Sequence, residues 1–120
     1  MSISNYLENK LLDSLRNVSY AATAVYIKLH LADPGEDGTT SPAANTTRQQ
    51  ATFSAAASGS MTTSANITWT NVPSTETYSH WSAWDASTAG NCLWSGALSS
   101  SAAVTAGDTF QITSLTLTLD

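Results

Sequence analysis

At Thr23 the hydrophobic pattern changes from a helical period to a period of two, and that switch most limits how the chain can fold. Thr23, Val25, Ile27, Leu29 and Leu31 fall on one side of an extended segment, with Ala24, Tyr26, Lys28 and His30 on the other. Successive side chains of a strand point to opposite faces, so Val25, Ile27 and Leu29 are expected in a core. Lys28 and His30 are then expected to meet solvent or a partner. The closing run Leu115, Leu117 and Leu119, alternating with Thr116 and Thr118, repeats the pattern. Truncating one of these large core side chains to alanine is expected to cost about 2–5 kcal/mol.

Ahead of the switch, Ile3, Tyr6, Leu7, Leu11, Leu15 and Val18 recur at three- and four-residue steps as one helical stripe, with Leu12 beside it. Such a stripe predicts an amphipathic helix over residues 3–18, capped by Ser2 or Ser4. The helix is too short to stand alone in water and must lie on a sheet or another subunit. The width of the stripe suggests a docking element, with Tyr6 and Leu12 as partner contacts.

After the switch, turn-forming residues punctuate short apolar runs. Asp33-Pro34-Gly35-Glu36-Asp37-Gly38 opens a surface loop that extends to about Thr47. Residues 48–53 read as a short strand, 55–63 as a small-residue connection, and 66–72 as a strand closed by Pro73. Tyr78–Trp84 is an aromatic strand, joined through the turn at 85–91 to a partner at Cys92–Gly96. Further strand-like runs cover 98–104 and 109–113. The whole predicts a mainly β chain: a single β-sandwich or jelly-roll-like domain of seven to eight short antiparallel strands with an N-terminal amphipathic helix. On this reading residues 1–120 are one domain, with the docking helix at 1–18 and the sandwich at 23–120.

Composition narrows the function. Nine acidic residues against four basic ones give a formal charge of -5, the wrong sign for neutralising phosphate or for an electrostatic hold on anionic lipid. Nucleic acid and membrane insertion are therefore not expected, and no apolar run reaches the length of a membrane span. Only 11% of residues are charged, while serine and threonine number eighteen each. Hydroxyls cost less to desolvate than charges, so this surface suits extensive packing against neighbours. Cys92 is the only cysteine, which excludes an intrachain disulfide. The opening residues lack the continuous apolar stretch of a signal peptide.

Residues able to carry chemistry are scattered. His30 and His80 have no second ligand at a familiar metal spacing, and one cysteine is too few for a structural zinc site. Ser79, His80 and Asp85 hold the residue types of a nucleophilic triad without a Gly-x-Ser-x-Gly turn. Asp33, Glu36 and Asp37 form an acidic loop whose spacing does not match a twelve-residue calcium loop, so tight metal binding is not expected. No catalytic residue, cofactor or metal site is predicted. Tyr78, Trp81, Trp84 and Trp94 are candidate ligand or interface aromatics. They suit either a carbohydrate groove or the packing of a small β core and its subunit contacts. Alternation places Trp81 and Trp84 on opposite faces, which disperses the cluster.

An ordered series of segments points further. Tyr6-Leu7-Glu8-Asn9-Lys10-Leu11-Leu12-Asp13 is followed by Leu29-His30-Leu31-Ala32-Asp33-Pro34 and Arg48-Gln49-Gln50-Ala51-Thr52-Phe53. Ile67-Thr68-Trp69, His80-Trp81-Ser82-Ala83-Trp84-Asp85-Ala86 and Leu93-Trp94-Ser95-Gly96-Ala97-Leu98 come next, then Gly107-Asp108-Thr109-Phe110 and the Leu-Thr strand. Across nearly its whole length the chain resembles small virion structural proteins of tailed bacteriophages, a group carried under the names tail fibre or minor structural protein. That family often reads Gly-Tyr-x-Arg where this chain has Asn45-Thr46-Thr47-Arg48, so the turn there is open. The resemblance implies a non-enzymatic virion subunit assembled in the bacterial cytoplasm, with a tail-mounted or capsid-decorating (cement) role. Its implied partners are copies of itself, with a trimer as first choice, and the major capsid or tail proteins. The alternative is a receptor- or glycan-binding module at the tail tip, with a host surface glycan as ligand.

Overall fold

A computed structural model describes residues 2–119. The elements in chain order are β1 (Ser2–Ile3), α1 (Asn5–Ser14), β2 (Val25–His30), β3 (Gln49–Ala51), β4 (Ser60–Thr62), β5 (Ile67–Trp69), β6 (Glu76–Trp84), β7 (Cys92–Val104), β8 (Phe110–Ile112) and β9 (Thr116–Thr118). The fold is mainly β with one short helix. Nine strands are described where seven or eight were expected.

Five strands form one sheet in the order β1-β7-β6-β2-β3, every pairing antiparallel. The rest form a ribbon: β4 pairs with β9 and β5 with β8. Residues 60–119 are thus nested hairpins about the turn at 85–91, with β4, β5 and β6 on one arm and β7, β8 and β9 on the other. Pro73 and the Gly107 turn break the two arms at the same level, where the Gly107 N–H donates to the Val72 carbonyl at 2.8 Å and the Val72 N–H to the Asp108 carbonyl at 2.9 Å. There the ribbon folds back on the sheet. Phe110 meets Tyr78 edge-on at 5.2 Å and Trp69 at 5.8 Å, and all lie against the core of Ile27, Leu29, Ile67, Val72 and Trp81. Neither sheet nor ribbon closes on itself, and the molecule measures 48 × 26 × 23 Å.

Ile27 and Leu29 are fully buried as the alternation requires, and Val25 is half-buried at the strand end. Leu115 and Leu117 are core residues, but Leu119 is 51% exposed. It lies just past the last β4–β9 pair, so periodicity assigned its face without guaranteeing burial. The segment 55–63 is not merely a connection, because Ser60–Thr62 pairs with Thr116–Thr118. The segment 92–104 is one continuous strand, with a large bulge where β7 passes Ser79.

The loop after β2 is less open than its composition suggests. Pro34, Ala43 and Asn45 are buried, and Ala43 donates from its backbone N–H to the Leu29 carbonyl. Residues 41–43 therefore run antiparallel along the outer edge of β2, where Pro42 removes no central ladder bond. Glu76 fixes the loop further by accepting backbone bonds from Ala44 and Asn45 at 2.7 and 3.3 Å. Where the resemblance leads one to expect Gly-Tyr, Asn45 accepts from the Thr47 N–H, and the Thr47 carbonyl accepts from Trp69 Nε1 at 2.9 Å. Gly38 sits in the left-handed region at φ +73°, and a Cβ there would lie 2.7 Å from Cys92 Sγ. Only glycine lets the loop settle so closely on the sheet.

Candidate interaction surface

The groups with chemical potential are tied to structural partners. His30, expected at solvent or a partner, is fully buried. The 33–43 loop folds over its side of β2, which the strand's own alternation could not reveal. Its Nδ1 donates to the Thr40 carbonyl at 2.9 Å, and its Nε2 accepts from Ser82 Oγ at 2.7 Å. Burial chiefly holds its pKa below the ordinary value, opposed by the Thr40 bond and assisted by Lys28. Lys28 is half-buried, and burial followed by the Arg48 charge lowers its own pKa.

Ser79 directs its hydroxyl proton to the Leu31 carbonyl at 2.8 Å, so the 2.8 Å contact with His80 runs from His80 Nδ1 to Ser79 Oγ. Asp85 accepts from the backbone and side-chain nitrogens of Asn91 at 2.8 and 3.0 Å, and no hydrogen bond joins it to His80 among the described residues. The three side chains form no relay. In the acidic loop, Asp33 accepts from Gly35 N, and Asp37 accepts from Thr39 through both backbone and hydroxyl. Those Thr39 bonds lower the Asp37 pKa. Among the described residues no three His, Cys, Asp or Glu gather as a metal cluster.

The aromatics lie inside. Tyr78, Trp81, Trp84 and Trp94 are all buried, and they are spread along β6 and β7 instead of lining one groove. Trp81 packs over Gly96, where a Cβ would come within 2.7 Å of its ring. Trp84 Nε1 donates to Ser82 at 2.7 Å, and Arg48 stacks over the Trp84 ring at 4.1 Å. The same guanidinium donates to the carbonyls of Ala86 and Ala89, clamping the β6–β7 turn. Sequence reasoning gave Arg48 no role, because its partners lie about forty positions away.

The outward apolar surface belongs to α1. Ser4 caps it: its Oγ accepts from Leu7 N at 3.2 Å and donates to the Cys92 carbonyl at 2.6 Å, so one hydroxyl starts the helix and ties it to β7. Ile3 is not helical; it pairs with β7 opposite Trp94. The helix ends at Ser14, and Asn17 follows at φ +67°, the left-handed stop. Residues 15–18, expected to continue it, lie beyond. Only Leu7 of the stripe is buried, with Tyr6 and Leu11 partly covered. Leu12 near the helix end, and Leu15 and Val18 beyond it, are exposed at 64, 85 and 41%.

Beneath α1 is an open cavity of about 290 Å³, lined by Leu7, Leu11, Val25, Met61, Trp94 and Leu117, with Leu119 also on its wall. Tyr20 on the same wall stands edge-on to Tyr6 at 6.4 Å, and its buried hydroxyl has no hydrogen-bond partner among the described residues. Burial chiefly raises its pKa. Of five large apolar residues exposed among the described residues, four (Leu12, Leu15, Val18 and Leu119) belong to this helix end or to the cavity wall.

Residues 2–120 match the model of one protein family, podophage GP4 fiber I protein gp80. The chain belongs to that family. It is a small tailed-phage virion protein of the tail-fibre kind. The curated proteins contain no match to it. No helix of this fibre protein, among the described residues, is long and apolar enough to cross a membrane. Of the partner contacts read from its sequence, Leu12 stands free, Tyr6 is half-covered and also lies 5.6 Å from Lys10 Nζ, and His30 is enclosed. Leu15, which the sequence placed on the covered stripe, is the most exposed large apolar side chain described.

Proposed function

We propose that this fibre protein is a non-enzymatic structural subunit mounted on the podophage tail. It self-associates, with a trimer as the favoured number, and joins other virion proteins through the α1 end. The sheet and ribbon serve as the two layers of an open sandwich that supports this surface. The observation that carries the reading is the exposure of Leu12 near the end of a capped and tethered helix, and of Leu15 and Val18 just past that end. Exposed apolar patches of this kind mark interaction sites. The scarcity of charge over the rest of the surface supports it, since packing there desolvates few ions. The family's fibre name favours the tail over the capsid. Assembly in the bacterial cytoplasm fits a fold that needs no disulfide.

Leu12→Glu tests the proposal in phage particles. The residue is already in solvent, so the isolated subunit should keep its fold and melting temperature. Incorporation into particles, read by quantitative mass spectrometry of purified virions, should fall at least tenfold. Unchanged incorporation of a well-folded Leu12→Glu chain would remove Leu12 as a contact, and absence of the wild-type chain from particles would defeat the structural role itself.

A further inference from the structure

We infer that an extended segment of a different virion protein pairs as an added strand along the outer edge of β8 and β9, in the trough between that edge and β7. The trough shares no lining residue with the cavity beneath α1. Elsewhere the fold covers its strand edges. β3 and residues 41–43 line the outer side of β2, and residues 52–54 line the outer side of β4. β1 covers β7 at Trp94 and Ser95. Among the described residues, no strand pairs with that side of β7 beyond Ser95, or with the outer edge of β8 and β9. Both open edges border one trough of about 540 Å³, walled by residues 96–100 on the β7 side and 110–116 on the ribbon side.

Peptide groups of a strand point alternately to its two sides, so half of those on each open edge face away from the existing partner. The ligand that satisfies such a row of donors and acceptors at once is another extended backbone. The edge also lacks the usual guards against pairing. Residues 96–119 hold one charged residue, Asp108 in the turn after β7, and no lysine or proline. β7 is protected by its large bulge opposite Ser79, which leaves β8 and β9 as the edge free to pair. The trough also selects the strand that enters. Its floor is apolar, with Trp81, Leu98, Phe110, Ile112 and Leu115, and its rim carries the hydroxyls of Ser99, Ser100, Thr113 and Ser114. None of its lining residues is charged, so a charge on the incoming strand would lose water without gaining a counter-ion. The fitting segment is uncharged and alternates apolar with small polar side chains. At about 3.3 Å per residue it needs roughly seven residues to follow the 110–116 wall. A second copy has no such segment to lend, because the alternating runs around 25–30, 67–69 and 116–118 are already paired in its own sheet and ribbon.

Hydrogen exchange read by mass spectrometry compares the isolated chain with the same chain in purified particles. The outward amides of residues 110–118 should exchange at least tenfold more slowly in particles. Photo-cross-linking from Ser114→benzoylphenylalanine, at an exposed position on the trough wall, should join an uncharged segment of a different virion protein, identified by sequencing the cross-linked peptide. Ser100→Lys with Ser114→Lys places guarding charges at two exposed positions of the trough. The isolated variant should keep its melting temperature, and the protection of 110–118 in particles should fall at least tenfold. Ser100→Thr with Ser114→Thr should retain the protection. A wild-type chain present in particles whose 110–118 amides exchange as fast as in isolation would overturn the inference and leave the structural role standing. Cross-links solely to other copies of this chain, or full protection in the lysine variant, would overturn it as well.

Discussion

Ser82→Ala is a demanding test of how the scaffold is held. Ser82 is fully buried, and its hydroxyl stands 2.7 Å from both His30 Nε2 and Trp84 Nε1. The indole nitrogen only donates, so Ser82 accepts there and passes its own proton to His30. On the other side of the ring, His30 Nδ1 must carry its proton because the Thr40 carbonyl only accepts. The network is closed and fixes a neutral tautomer. Alanine has nearly the same shape but strands a buried donor on Trp84 and a buried acceptor on His30. Each stranded group costs about 1–3 kcal/mol, so the variant should lose about 2–6 kcal/mol. For a chain of this size that lowers Tm by roughly 8–24 °C. Urea denaturation at pH 7.5 gives the free energy directly, with exposed Ser99→Ala as a control that should change by less than about 0.5 kcal/mol. The wild type also carries a pH signature. The folded pKa of His30 lies below its unfolded value near 6.5, so stability is present above pH 6.5. It falls as the pH drops below that value, because the unfolded chain takes up a proton the native ring refuses. A Ser82→Ala loss no larger than that of Ser99→Ala would refute the network as a stabilising device.

Leu29→Ala should cost about 2–5 kcal/mol in the same denaturation assay, and Leu119→Ala well under 1 kcal/mol, since the first side chain is fully buried and the second is half in solvent. The Cys92 thiol, pushed up to about 11 by burial, should resist alkylation at neutral pH until the chain unfolds. Its folded pKa exceeds the unfolded value of 9.0, so its contribution is intact below pH 9 and is lost as the pH rises toward 11. Cys92→Ala should flatten that alkaline decline in a stability-against-pH series.

The sequence by itself determined the local conformations. The two-residue period of 23–31 made β2, the Ser4 hydroxyl three residues before Leu7 made the helix start, and the Asp-Pro-Gly-Glu-Asp-Gly run made a turn. It also carried the family resemblance, through an ordered series of segments. Tertiary structure alone decided which of those faces are covered. His30 and Lys28 share a face, yet the Thr40 segment encloses one and leaves the other half open. Leu117 and Leu119 share a face, yet the first is buried and the second is half in solvent. Ser60–Thr62 gives almost no strand signal, because its pairing energy comes from Thr116–Thr118, more than fifty positions away. The exposed apolar surface at the α1 end was half legible for the same reason. Helical period identified an apolar stripe from Ile3 to Val18, but of that stripe only Leu7 is buried. A period records which side chains point together; whether anything lies opposite them depends on contacts between distant segments, and that arrangement is what exposes Leu12 and Leu15.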